Sequence, residues 1–132
     1  MILRFRKPLS TFLIFPNGKC VCNGTKRLDD TRIACRRVAR LIQQQGYAVK
    51  YSGFVTQNIA CSQSLNKRLD IVALNDILKV QYEPELFPGY HYQSQFTYIL
   101  FASGKLIVTG GKDYKSMNED FQGFKNIVEY FF

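Results

Sequence analysis

Two Gly-Lys pairs, Gly18-Lys19 and Gly104-Lys105, are the positions in this 132-residue chain that come nearest to a phosphate-binding loop. Neither sits in a glycine loop of the right length; each joins two short apolar runs and reads as a hairpin turn. Other routes to catalysis fare no better, because the chain has no Ser/His/Asp set and no carboxylate pair with a plausible site, so no enzyme is expected. The four cysteines, at 20, 22, 35 and 61, lack C-x-x-C spacing, and the lone His91 has no second ligand candidate near it. They read as reduced thiols packed as small hydrophobes in an intracellular protein, with no metal and no cofactor. Charge remains as the chemistry on offer. The net charge is +8, and it is unevenly placed: residues 1–50 balance at +9 and residues 51–132 at −1. A basic half implies a polyanionic partner approached from one side, and the near-neutral half a second surface with acidic features.

The elements that position the two lysines are written twice. FLIFPNGKCVCNGTK from Phe12 and YILFASGKLIVTGGK from Tyr98 align without a gap. Phe15 falls on Phe101, Gly18 on Gly104, Lys19 on Lys105 and Gly24 on Gly110, at a constant offset of 86. An apolar run, a glycine turn and a second apolar run make a β-hairpin, and its repetition makes a duplicated unit. By the same offset, the part of the second unit before Phe87 would pair with positions before Met1, so the first repeat is expected to be incomplete.

Around the hairpins, Met1–Lys7 alternates as a strand. Arg4, Arg6 and Lys7 interrupt its apolar residues, which argues for strands rather than a signal peptide. Asp29 or Asp30 is expected to cap a helix ending before Gly46, with Ala34, Val38, Leu41 and Ile42 on one face and Arg32, Arg36 and Arg40 in a row on the other. Tyr47–Ile59 is expected as a strand that continues towards Cys61, and Lys67–Leu78 as a short helix with Leu69, Val72 and Ile77 inward. Strands follow at Tyr82–Phe87, Tyr90–Phe101 and Lys105–Thr109. A closing helix places Met117, Phe121, Phe124 and Val128 at helical spacing. No apolar run is long enough to span a membrane. The class is α+β, an antiparallel sheet with helices on one face. Val21 with Asn23, and Ile107 with Thr109, then lie on the opposite face, as a binding surface or as a second core layer.

YEPELFPG at Tyr82–Gly89, followed by FASGKLIVTGGK, resembles the second repeat of the TATA-box-binding protein family. FPNGKCVCNGTK resembles the matching hairpin of that family's first repeat, RRVARLIQQQGY its basic helix and FVTQNIA its central strand. The resemblance runs from about Met1 to Val128. It implies a saddle: a curved antiparallel sheet with helices on the convex face, built from two pseudo-repeats. Residues 1–54 would be the incomplete first repeat and residues 55–132 the second, sharing one continuous sheet. The family is itself the standard example of minor-groove binding by inserted apolar wedges. The residues suit that groove, whose degenerate A·T acceptors favour an apolar sheet with a few amides and hydroxyls. On this resemblance Phe87 and Phe101 match the wedge pair at one end of the site and Phe15 one wedge at the other. Asn58 matches the central amide, and Val21, Asn23, Ile107 and Thr109 the sheet residues on bases and sugars. Arg4, Lys19 and Lys105 match phosphate-side positions. Glu83, Glu85 and Leu86 match the family's contact for transcription factor IIB, and Arg32, Arg36 and Arg40 the basic helix that meets other general factors.

The chain also departs from the family pattern. The first central strand and the first of the helices of repeat one are expected to be absent, and with them one wedge Phe and the partner of Asn58. The Tyr90–Phe101 hairpin is shorter by about three residues, with Gln93, Ser94 and Gln95 where basic residues are usual. Asn23 replaces a Thr, and Ala60 a larger aliphatic residue. An uncovered edge strand near Asn58 would invite self-association. The reading is therefore a general transcription initiation factor-like protein that acts in the nucleus, or in the transcription compartment of an intracellular parasite or virus. It would bind A·T-rich promoter DNA in the minor groove, bend it and recruit general factors. The alternative is a protein-interaction module, or competitor of the normal factor, that has lost DNA bending.

Overall fold

The computed structural model describes residues 1–131. Eleven elements follow one another as β1 (Ile2–Arg6), β2 (Leu9–Ile14), β3 (Cys20–Asn23), α1 (Leu28–Gln44), β4 (Ile59–Ser64), α2 (Ile71–Leu78), β5 (Gln81–Tyr82), β6 (Tyr90–Gln93), β7 (Thr97–Leu100), β8 (Lys105–Gly111) and α3 (Tyr114–Phe131). They form two compact units, Met1–Val55 and Thr56–Phe132. The strands make two antiparallel sheets, ordered β1-β2-β3 and β4-β8-β7-β6-β5, rather than the one continuous sheet expected. The expected strand forms only in its last part: residues 47–58 are irregular, and pairing runs from Ile59 through Cys61 to Ser64.

In the first unit, alternation decides which side chains meet α1. Leu3, Phe12 and Cys22 lie in one cross-strand row, and Phe12 forms the core with Ala34 and Val38 of the helix. Leu41, expected inward, stays exposed while Ile42 packs. Neither aspartate caps α1. Arg27 occupies the cap position without a side-chain bond, and Asp29 instead accepts from Arg32 at 2.7 Å. Both aspartates lie in the first turn, where the helix dipole favours negative charge.

The second unit has the larger core. Tyr98 and Leu100 of β7 and Leu106 and Val108 of β8 meet Met117, Phe124 and Val128 of α3, with Ile59, Leu69, Leu74 and Phe96 in the same cluster. The α2 expectation needs correction. The helix starts at Ile71, where the Asp70 side chain accepts from the Ala73 amide at 3.1 Å. Leu74 is its buried residue, whereas Val72 and Ile77 are exposed. That start sets the facing: Leu69 precedes the helix, and the inward face passes through Leu74 rather than Val72. Of the expected 82–87 strand only Tyr82 pairs, together with Gln81 before it, because the chain turns at Glu83, whose carbonyl accepts from the Leu86 and Phe87 amides at 3.0 Å each.

The two Gly-Lys turns are hydrogen-bonded alike. The Phe15 amide donates to the Lys19 carbonyl and the Phe101 amide to the Lys105 carbonyl, both at 2.9 Å. The Gly18 amide donates back to Phe15 at 3.0 Å, and the Gly104 amide to Phe101 at 2.9 Å. Gly18 at φ 85° and Gly104 at φ 87° hold the left-handed conformation that admits glycine most readily. The ladders agree as well: Leu13 pairs with Val21 as Ile99 pairs with Ile107, and Thr11 with Asn23 as Thr97 with Thr109.

Candidate nucleic-acid interface

Each sheet has a helix-backed face and a face that the unit's own core leaves out. In the second unit the register builds the latter face row by row. Ala60, Thr109, Thr97 and Gln93 lie abreast, then Ser62, Ile107, Ile99 and His91. Ile99 and Ile107 take no part in the core cluster and remain half-buried. Apolar methyls, hydroxyls and one amide line this face, and the positive charge of exposed Lys105 sits at its margin.

Two of the sequence-predicted wedges close one end of it. The Phe87 and Phe101 rings lie 6.3 Å apart between centroids, tilted by 59°. Phe87 also meets His91 edge-on at 5.7 Å and remains 40% exposed. A Cβ on Gly89 would strike the Phe87 ring and Ile99, so a glycine there lets the ring lie down against the sheet. Asn58 sits at the far end of β8. Its Oδ1 accepts from the Gly110 amide at 2.8 Å and its Nδ2 donates to the Thr109 hydroxyl at 3.2 Å. Sequence reasoning thus placed Asn58, Thr109, Ile107, Phe87, Phe101 and Lys105 in one unit. It missed Thr97, Ile99, His91 and Ser62, although counting back from the Phe101–Lys105 pair would have found the first two.

The first unit repeats the pattern on a smaller sheet. Arg4, Thr11 and Asn23 form one row, and Ile2, Leu13 and Val21 the next. Phe15 follows Leu13 by two residues on the same face and is 46% exposed, with no ring contact among the described residues. Lys19, Val21, Asn23 and Arg4 are all exposed. Thr11 and Leu13 are again additions that strand pairing supplies.

The predicted partner-binding residues lie elsewhere in each unit. Glu83, Glu85 and Leu86 are exposed on the turn before Phe87, with Leu86 at 80%. Arg32, Arg36 and Arg40 run along the exposed side of α1, where Arg36 lies 5.9 Å over the Tyr51 ring and Arg32 is held by Asp29. Arg37, between them, is tied down, donating to the Lys7 carbonyl at 2.9 Å and covering Phe5. All four cysteines are free. Burial and the neighbouring Cys35 push the Cys22 thiol up to about 11, so it is protonated and inert near neutrality. Among the described residues no cluster of His, Cys, Asp and Glu could hold a metal ion.

A duplicated hairpin-and-helix unit, whose free sheet faces carry apolar and hydroxyl groups flanked by Phe and Lys, defines an α+β fold with two candidate binding faces. The sequence matches the family described as transcription factor TFIID, or TATA-binding protein, over residues 1–45 and 53–131. The chain belongs to the TATA-binding protein family. It is 40% identical to TATA box-binding protein-like 2 of Rattus norvegicus, over 99% of this chain and 40% of the relative. It is 38% identical to TATA-box-binding protein 1 of Arabidopsis thaliana, over 96% of this chain and 64% of the relative. The chain therefore spans less than two thirds of these relatives. In fold it matches the TBP of Methanococcus jannaschii with a TM-score of 0.87 at 24% identity, covering 99% of this chain and 80% of that one. The α+β class expected from the sequence is the class found.

Proposed function

We propose that this chain binds A·T-rich duplex DNA in the minor groove through the free sheet faces, bends it, and recruits general transcription factors. The observation that carries the reading is the second unit's free face, where Thr97, Ile99, Ile107 and Thr109 stand outside the core beside the Phe87–Phe101 pair. Such a face excludes water and fits a groove floor that offers acceptors and sugar edges. Two Phe rings at its end can enter a base step. Phe15 is the wedge of the first unit, with Val21 and Asn23 on bases and sugars. Arg4, Lys19 and Lys105 meet phosphates. Because the Asn58 Oδ1 is engaged by Gly110, its reading contact is made by the Nδ2 donor.

Glu83 and Glu85 with the exposed Leu86 form an acidic rim around an apolar anchor, the site for a factor of the transcription factor IIB kind. The Arg32–Arg36–Arg40 row serves a second, acidic partner. On this reading the protein works in the nucleus or an equivalent transcription compartment. The test is a salt series of binding to an A·T-rich and a G·C-rich duplex, with a fluorescence bend measurement alongside. Preference for the A·T-rich duplex, with a bend, is expected. Equal binding to both duplexes with no bend would overturn the proposal and leave the interaction module.

A further inference from the structure

His91 is the one histidine of the chain, and the register puts it on the second unit's free face, between Ile99 of β7 and Gln81 of β5. Its ring is half-buried and meets the Phe87 ring edge-on at 5.7 Å. Among the described residues neither ring nitrogen has a hydrogen-bond partner. Its row continues through Ile107 to Ser62, and the next row holds Gln93, Thr97, Thr109 and Ala60, so no charge faces it along either row. The charged groups of the elements around it are all exposed: Lys79 at the cap of α2, Lys105 at the start of β8, and Glu83 and Glu85 on the turn before Phe87. Tyr90 and Tyr92, its neighbours in β6, pack on the helix side.

An imidazole in that place meets a groove floor of particular chemistry. A·T pairs expose only acceptors in the minor groove, whereas a G·C pair adds an amino donor. Neutral imidazole carries one N–H and one bare acceptor nitrogen. Against an A·T floor the bare nitrogen finds no donor and is buried without compensation. A proton makes both nitrogens donors and sets a positive charge beside polyanionic DNA, which favours the charged form. Burial of that charge works the other way, but the neutral ring has its own cost in the unpaired nitrogen. On the minor-groove reading above, we infer that His91 is a specificity-determining residue that contacts the groove floor beside the Phe87 wedge as an imidazolium, so that binding an A·T-rich duplex takes up a proton. Histidine changes charge in the physiological range, so the A·T preference of this face falls as the pH rises.

The test measures binding of the full chain to an A·T-rich and a G·C-rich duplex at one salt concentration, at about pH 5.5 and about pH 8, either side of the histidine range. Affinity for the A·T-rich duplex should fall about tenfold at the higher pH, the loss of one charge-assisted hydrogen bond. Affinity for the G·C-rich duplex should fall less. His91→Gln, whose amide offers a donor and an acceptor without titrating, should abolish the difference between the duplexes in pH response, while every other titrating group stays in place. His91→Lys, charged at both pH values, should hold the A·T-rich duplex at the higher pH as tightly as at the lower. An equal fall for the two duplexes, or a pH response that survives His91→Gln, overturns the inference. A preference for the A·T-rich duplex that does not change with pH also overturns it and leaves the minor-groove reading standing. No such preference at either pH overturns that reading itself.

Discussion

Truncating Phe87 to Ala distinguishes a wedge held ready on a surface from a ring that builds the core. Full burial of a Phe side chain is worth about 1.5–3 kcal/mol. Phe87 keeps two-fifths of its surface in water, so removing it should cost about 1–2 kcal/mol on the same scale. Phe124, 3% exposed and stacked on Tyr98 at 4.7 Å, is the internal control, and truncating it should cost about 3–5 kcal/mol. Urea unfolding followed by circular dichroism measures both variants. The double variant Phe87→Ala with Phe101→Ala should cost less than the two singles combined, because the rings pack on each other and either truncation alone already removes that packing. On DNA the ordering reverses: the double variant should lose the bend of an A·T-rich duplex, since unstacking a base step costs a few kcal/mol with no ring to offset it. A Phe87→Ala cost equal to that of Phe124→Ala, or an unchanged bend in the double variant, would refute the wedge assignment.

Replacing Lys19 and Lys105 by Ala should flatten the salt dependence of binding, by about 0.9 in the log–log slope for each phosphate left without its lysine, measured in a salt titration. Asn58→Ala leaves the Gly110 amide and the Thr109 hydroxyl without their partner, so faster hydrogen exchange at Gly110 and weaker discrimination between A·T-rich and G·C-rich duplexes are expected together. The charge reversals Glu83→Lys and Glu85→Lys should abolish binding of a transcription factor IIB-type partner in a pull-down while leaving affinity for free DNA equal or slightly higher. Raising the pH tests the half-buried Cys22 thiol of the first unit. The Cys22 pKa is raised from 9.0 to about 11 on folding, so its contribution to stability is complete below pH 9 and is lost as the pH climbs through 11. Cys22→Ala should remove that alkaline loss in urea titrations at fixed pH.

What was legible in the sequence followed from local rules that tertiary packing did not override. The hairpin turns rest on glycines with positive φ, and the α3 face on the spacing of Met117, Phe124 and Val128. Both were readable, and the structure has both. The misreadings share a cause. Tyr47–Ile59 has β-branched and aromatic residues suited to a strand, but pairing begins at Ile59, where β8 supplies a partner. Val72 and Ile77 fitted an apolar face, but the cap at Asp70 set the rotation of α2 and turned Leu74 inward instead. Asp29 and Asp30 were good cap residues in the wrong place, within the first turn of the helix rather than just before it. The interface fared similarly. The repeat was enough to match Phe15 with Phe101 and Lys19 with Lys105 on the candidate faces, whereas Thr97, Ile99 and His91 needed the ladder register that joins them across strands.

The two copies of the hairpin agree where position matters and differ where volume matters. Their turns carry the same bonds at nearly the same lengths, so Phe15 and Phe101, like Lys19 and Lys105, leave the sheet from equivalent points. Behind the turns, Cys20 and Cys22 stand where the second unit has Leu106 and Val108, and the first unit's core shrinks to Phe12, Ala34 and Val38 with a partly buried fringe. A core tolerates such exchanges if the remaining side chains still fill it. A turn does not, because one residue of slippage would send Phe15 and Val21 to the helix side and Ile14 and Cys22 to the free face. The agreement between the copies is therefore concentrated in the part of the hairpin that aims side chains. That is the pattern expected when the free face, rather than the core behind it, carries the function.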